Sequence, residues 1–174
     1  MSNQQVDARA EQVLRQTETY VVPVQIDVVA HRLKLTTSAV PLGEDVSGML
    51  IVEKSRGAIG YNSTHAPVRQ RFTIAHEIAH FLLHLKKNRT SQVFIDRFVF
   101  RRDENSARGS DREEVEANRF GAALLMPANL VRKEVRKHDL DLDDAEAVDF
   151  LAKRFQVSTA AMTNRLTSLG LLRS

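Results

Sequence analysis

Phe72-Thr73-Ile74-Ala75-His76-Glu77-Ile78-Ala79-His80-Phe81-Leu82-Leu83 carries two histidines four residues apart inside an otherwise apolar run. On an α-helix, positions i and i+4 share a face one turn apart, so imidazoles at 76 and 80 can converge on one tetrahedral zinc ion at about 2.0–2.1 Å. Glu77 lies beside His76, where its carboxylate reaches a water on that ion without joining the ligands. Zinc then lowers the water's pKa towards ~7 while the carboxylate takes the proton. Three fixed letters in five recur by chance in many proteins, and paired helical histidines are more often surface or structural groups than ligands. The setting decides between the readings. Ile74, Ala75, Ile78, Ala79, Phe81 and Leu82 predict a helix over 68–85 that is apolar around much of its circumference, and so buried. Burying two imidazoles and a carboxylate without partners is costly, and a metal satisfies all three.

A catalytic zinc needs a third protein ligand and one open position. The chain has no cysteine, so that ligand is His, Asp or Glu. His84 continues the i+4 series but sits about 12 Å along the axis from His76. It reads as a packing group or a support for the ligands. His65 and His138 read as solvated or structural. A second strong helix is predicted from about Glu113 to Leu125, ending near Met126-Pro127. On it, Glu114 and Asn118 share a face, so a ligating carboxylate at 114 leaves the Asn118 amide to hydrogen-bond and orient a ligating histidine. Acidic residues in a helix's first turn also stabilise its dipole without further role, and that covers at least one of Glu113, Glu114 and Glu116. On helical-face grounds Glu114 is the favoured third ligand and Glu116 the next.

Val6, Ala10, Val13 and Leu14 predict an amphipathic first helix ending before Val22-Pro23. A shorter helix carries Ile26, Val29, Ala30 and Leu33. Met49-Leu50-Ile51-Val52 and Ala58-Ile59-Gly60-Tyr61, separated by the turn-prone Lys54-Ser55-Arg56-Gly57, predict a hairpin or two neighbouring strands. Val93 to Phe100 reads as a further strand or an ordered loop, and Arg101 to Arg112 as a mobile surface loop. Helices follow from Leu130 onward, the last pair near Ala145 to Phe155 and Ser158 to Leu169. The expected fold class is α+β: a mainly helical core over 1–140 with a sheet of about three strands, then a small helix-turn-helix-like segment over 141–174 packed on that core.

Hydrophobic residues make up 43% of the 174 and charged residues 27%, the balance of an ordinary soluble globular protein. The net charge of +3 gives no strong nucleic-acid or membrane signal. No signal peptide or run of ~20 apolar residues is visible, so the expected location is the cytoplasm.

The run Arg69-Gln70-Arg71-Phe72-Thr73-Ile74-Ala75-His76-Glu77-Ile78-Ala79-His80 resembles the signature helix of the ImmA/IrrE metallopeptidases. So does the run Glu114 to Pro127, with Gly121 where an alanine is common in that family. Ile59-Gly60-Tyr61-Asn62 before the first motif, and Leu151 to Ser158 with Arg165-Leu166 and Leu169 to Leu171 at the end, are similar as well. The resemblance covers about Val24 to Leu172. It implies a gluzincin-like site: two histidines, a glutamate ligand from the next helix, a glutamate base and Zn2+. It further implies an endopeptidase that cleaves a helix-turn-helix repressor and so relieves repression in mobile-element or stress regulation. The strand at Ile59 to Asn62 is expected to bind extended substrate by strand addition, with Tyr61 a candidate donor to the oxyanion.

Two other classes compete. Leu151 to Phe155, a turn, and Thr159 to Leu169 read like a helix-turn-helix with Ser158 as N-cap, so Arg154, Arg165 and Arg173 are candidate phosphate contacts of a DNA-binding regulator. A zinc-holding module that recognises a partner without cutting it would use the same ligands.

Overall fold

The computed structural model describes residues 1–53, 56–85, 92–97 and 107–172. Helix α1 (Asn3–Gln16) buries the stripe Val6, Ala10, Val13 and Leu14, and Ser2 caps it: the Ser2 hydroxyl accepts from the Gln5 N–H, while the Gln5 side chain accepts from the Ser2 N–H. Helix α2 (Ile26–Arg32) buries Ile26, Val29 and Ala30. Three strands follow, β1 (Leu35–Val40), β2 (Val46–Glu53) and β3 (Arg56–Asn62). Next come α3 (Pro67–His80), a π-helical turn (Phe81–Leu85), β4 (Gln92–Arg97), α4 (Ala107–Leu125), α5 (Ala128–Lys137), α6 (Ala145–Phe155) and α7 (Thr159–Ser168). This is the α+β, mainly helical architecture that the sequence predicts.

Among the described residues the sheet has four strands in the order β1-β3-β2-β4. β2 and β3 form the expected antiparallel hairpin, with Leu50 opposite Ile59. β1 is the strand that the sequence reading does not assign. Leu35-Thr36-Thr37-Ser38-Ala39-Val40 buries only Leu35 fully, so no apolar alternation marks it. It pairs parallel to β3, with Thr37 opposite Ile59. β3 is therefore held on both sides, and its backbone hydrogen-bonding groups are committed to β1 and β2. Strand addition at Ile59 to Asn62, as the sequence reading expects, is excluded by this pairing. Among the described residues the edges of the sheet are β1 and β4.

Two boundaries also move. Residues 107–112, expected as loop, are the first turns of α4; 101–106 and 98–100 lie outside the described residues. Gly and Ser lower helix propensity by up to ~1 kcal/mol each, a local preference that a longer packed helix overrides. The strand expected at 93–100 is present as Gln92–Arg97.

A single apolar cluster runs from α1 through the sheet and α3 to α7. Phe120 and Phe155 are fully buried in it, each worth about 1.5–3 kcal/mol of side-chain burial. Leu151, Met162 and Leu166 belong to the same cluster, so α6 and α7 share the core that supports α3 and α4. Ser158 does cap α7, its hydroxyl accepting from the Ala161 N–H. The cations nominated for DNA are otherwise engaged. Arg165 is 7% exposed and donates to the Met126 carbonyl and to Asp7 Oδ1, while Arg154 pairs with Glu134. Arg173 lies outside the described residues. No helix among the described residues is long and apolar enough to cross a membrane.

Candidate metal centre

Pro67 opens α3 at a position where its missing N–H is not needed. From Thr73 to His80 every residue of α3 is buried, between the β2–β3 hairpin on one side and α4 on the other. His76 and His80, 4% and 8% exposed, bring their ring centroids to 4.6 Å. The two Nε2 atoms are 2.9 Å apart. Glu114 closes the group from α4, with Oε2 3.2 Å from His76 Nε2 and Oε1 3.3 Å from His80 Nε2. Its side chain is 46% exposed, so the cluster is buried on the α3 side and opens to solvent past Glu114.

The proton inventory tests whether a metal fits. Asn118 Oδ1 lies 3.0 Å from His76 Nδ1. An amide oxygen only accepts, so Nδ1 carries the hydrogen and a neutral His76 presents a bare lone pair at Nε2. That lone pair faces His80 Nε2 and a carboxylate oxygen, and one shared proton can bridge only one of these contacts at a time. A divalent cation satisfies them together. His76, His80 and Glu114 each offer a ligand atom within 4.8 Å of the others. Two imidazole nitrogens and one carboxylate oxygen are a donor set that catalytic zinc uses, with a fourth position left open. The residues fit a metal. Where the two imidazoles hold a proton on this side instead, His76 first and His80 second, their hydrogen bonds keep the Glu114 carboxyl far below the ordinary carboxylate range.

The remaining predicted residues fall in different places. Glu77, 1% exposed, is buried next to His76. Glu116 is turned away from the cluster and takes the Met1 amino group at 3.1 Å and Arg112 at 3.9 Å. His84 lies on the π-helical turn with its ring centroid 5.5 Å from that of His80 and its Nδ1 4.0 Å from Glu113 Oε1. It flanks the group without entering it. Tyr61 packs half-buried against the core from the middle of the sheet, opposite Gly48 and Ala39, and is not brought into the His–His–Glu cluster. His65 and His138 lie apart from it, the latter 3.4 Å from Glu134.

Gly48 is the residue of the site that the sequence reading missed. A Cβ there would lie 2.4 Å from Thr73 Cγ2 and 3.2 Å from Glu77 Oε1. The strand backbone thus comes down onto the Glu77 carboxylate where β2 has an irregularity in its pairing with β4. A glycine inside an apolar strand is the available signal, since it often marks a bulge or a close approach. Asn62 fixes the loop leading into β2, its amide donating to the carbonyls of Leu42, Gly43 and Val46.

A mixed sheet laid on a buried helix with His76, Glu77 and His80, closed by a carboxylate from the helix packed against it, has the layout of a peptidase. Residues 24–167 match the family model Peptidase_M78, IrrE N-terminal-like domain, and the chain belongs to that family. No curated protein matches the chain significantly.

Proposed function

We propose that the chain is a zinc-dependent endopeptidase acting in the cytoplasm, with His76, His80 and Glu114 holding the ion and Glu77 as general base. The observation that carries this reading is the convergence within 4.8 Å of two ligand atoms from α3, the buried helix that also bears Glu77, and one from Glu114 on α4. When bound, zinc supplies Lewis acidity, lowering the pKa of water towards ~7 and polarising the scissile carbonyl. Glu77 takes the proton of the attacking water and returns it to the leaving amine. Asn118 holds the His76 ring in the tautomer that ligates through Nε2. Gly48 lets the β2 backbone close over the carboxylate of Glu77 and exclude bulk water from it.

An extended substrate segment adds to β4. Gly48 pairs with Asp96 of β4, so this edge is the one linked directly to the strand lying on Glu77, and among the described residues β4 is paired on one side only. The substrate is a helix-turn-helix repressor, the class that the resemblance implies. The test is to mix the zinc-loaded chain with a repressor encoded beside it and look for a discrete fragment. The expected outcome is cleavage that a chelator abolishes. Glu77→Gln should retain zinc stoichiometrically and reduce cleavage by at least ~10²-fold. Undiminished cleavage by that variant would remove Glu77 from the chemistry. Intact repressor with unchanged derepression in cells would instead make the chain a binding module.

A further inference from the structure

A half-open cavity of about 400 Å³ lies between α1, α3, α4 and α7, with Asn118 in its lining. Its floor is apolar: Val6, Phe72, Ala122 and Met126 face it, and the Asp7–Arg165 pair, with the guanidinium buried and the carboxylate partly exposed, also lines it. This volume is that of a small-molecule site. It is separate from the face where the candidate ligands converge, because its link to His76 is Asn118, which sits on the Nδ1 side of the ring.

The polar groups at its wall fix the chemistry of an occupant. Asn118 has its Oδ1 engaged with His76, so what it offers to the cavity is the NH2 group, a donor. Its neighbour Arg119 also lines the cavity and makes no hydrogen bond or ion pair among the described residues. With Asp7 neutralised by Arg165 at 2.6 Å, the uncompensated charge of the lining among the described residues is the exposed Arg119 guanidinium. Apolar floor, amide donor and free cation together are complementary to a carboxylate on a short hydrocarbon body.

We propose that this cavity is a binding site for a small organic carboxylate, distinct from the peptide-cleaving site and in contact with it through Asn118. The contribution of Val6 and Asp7 adds weight, since α1 lies ahead of the matched span 24–167 and so builds the site from outside the family core. The test does not depend on zinc or on peptidase activity. The full chain, labelled at its four methionine methyl groups, is titrated with hexanoate and separately with hexanamide. Hexanoate is expected to shift the Met126 methyl resonance with a dissociation constant on the order of 1 mM, leaving Met49 in β2 unmoved. Hexanamide should bind several-fold more weakly. Arg119→Gln, an exposed change that leaves packing alone, should reduce hexanoate to the affinity of the amide, and Ala161→Leu at the cavity wall should block both. No response of Met126 to hexanoate, an equal response to hexanamide, or a response unchanged in Arg119→Gln would each overturn the proposal. Because apo protein suffices, failure here leaves the zinc-peptidase reading standing, and loss of zinc binding leaves this site untouched.

Discussion

Glu114 and Asn118 stand one turn apart on α4 and divide the work at His76 between its two nitrogens: the carboxylate meets Nε2, the amide meets Nδ1. That division was legible, because the i, i+4 relation already puts the two side chains on one face. The choice of Glu114 over Glu116 follows from the same geometry, since two residues turn a helix by about 200° and send Glu116 towards α1. Asn118→Ala should therefore leave the fold intact and weaken zinc by about 10- to 100-fold in chelator competition, the usual cost of removing a ligand's orienting partner. An unaltered zinc affinity would show that the ring needs no such support. Gly48 was not legible, because what it serves is a close approach in space that no local pattern reports. Gly48→Ala should cost about 1–3 kcal/mol in denaturant unfolding, as the new methyl meets Thr73 Cγ2 at 2.4 Å. Thr73→Ser deletes that carbon, so the double variant should recover about half of the loss. Simple additivity would place the strain elsewhere.

At the level of elements, the strong amphipathic and buried helices could be read from the chain because their own periodicity defines them. β1 could not, since its Thr-Thr-Ser centre satisfies no alternation and its place depends on β3 as a partner. The same is true of the strand order, in which the parallel β1 takes the edge of β3 that sequence reasoning left free for substrate. The His76–His80–Glu114 cluster in turn depends on how closely α3 and α4 pack. A Cβ on Gly121 would lie 3.2 Å from the His76 backbone nitrogen and 3.3 Å from the Ala75 carbonyl carbon. Backbone atoms cannot rotate aside, so Gly121→Ala must part the helices by a few tenths of an ångström. Alanine gains about 0.5–1 kcal/mol of helix propensity, and overpacking costs about 1–3 kcal/mol, leaving a net loss of roughly 1 kcal/mol. The sharper effect should be on the metal: a spacing error between Glu114 and the two histidines is expected to weaken zinc roughly 3- to 10-fold by the same competition assay. Full affinity in a destabilised Gly121→Ala protein would mean that Glu114 adapts to the spacing by itself.

Across the whole molecule, the segment 141–174 reads in sequence as a small helical part packed on the core, and its Leu151, Phe155, Met162 and Leu166 lie in the cluster that backs α3 and α4. We expect the two parts to unfold as one unit, and a polar tie between them gives a way to test that. Glu134 on α5, 6% exposed, pairs with Arg154 on α6, with Lys137 and His138 also near it. Burial pushes the Glu134 carboxyl up, but the hydrogen bond and charge of Arg154, with the weaker fields of Lys137 and His138, more than offset it and hold the group below its ordinary value of 4.5. A carboxyl whose pKa is depressed in the folded state stabilises that state above its unfolded value, and the stabilisation fades as pH falls through the folded one. Glu134→Gln should therefore lower stability by roughly 1–2 kcal/mol at neutral pH, a buried pair discounted for the half-exposed guanidinium. The gap from the parent protein should hold constant down to about pH 5 and narrow below it. Denaturant titrations at several pH values read both quantities. If α5 and α6 belong to one cooperative unit, probes in α3 and in α7 will report the same midpoint in the parent and the same displacement in the variant. Separate midpoints, with only the α7 probe moved by Glu134→Gln, would show that the C-terminal helices fold on their own and that the His76–His80–Glu114 cluster does not rely on them.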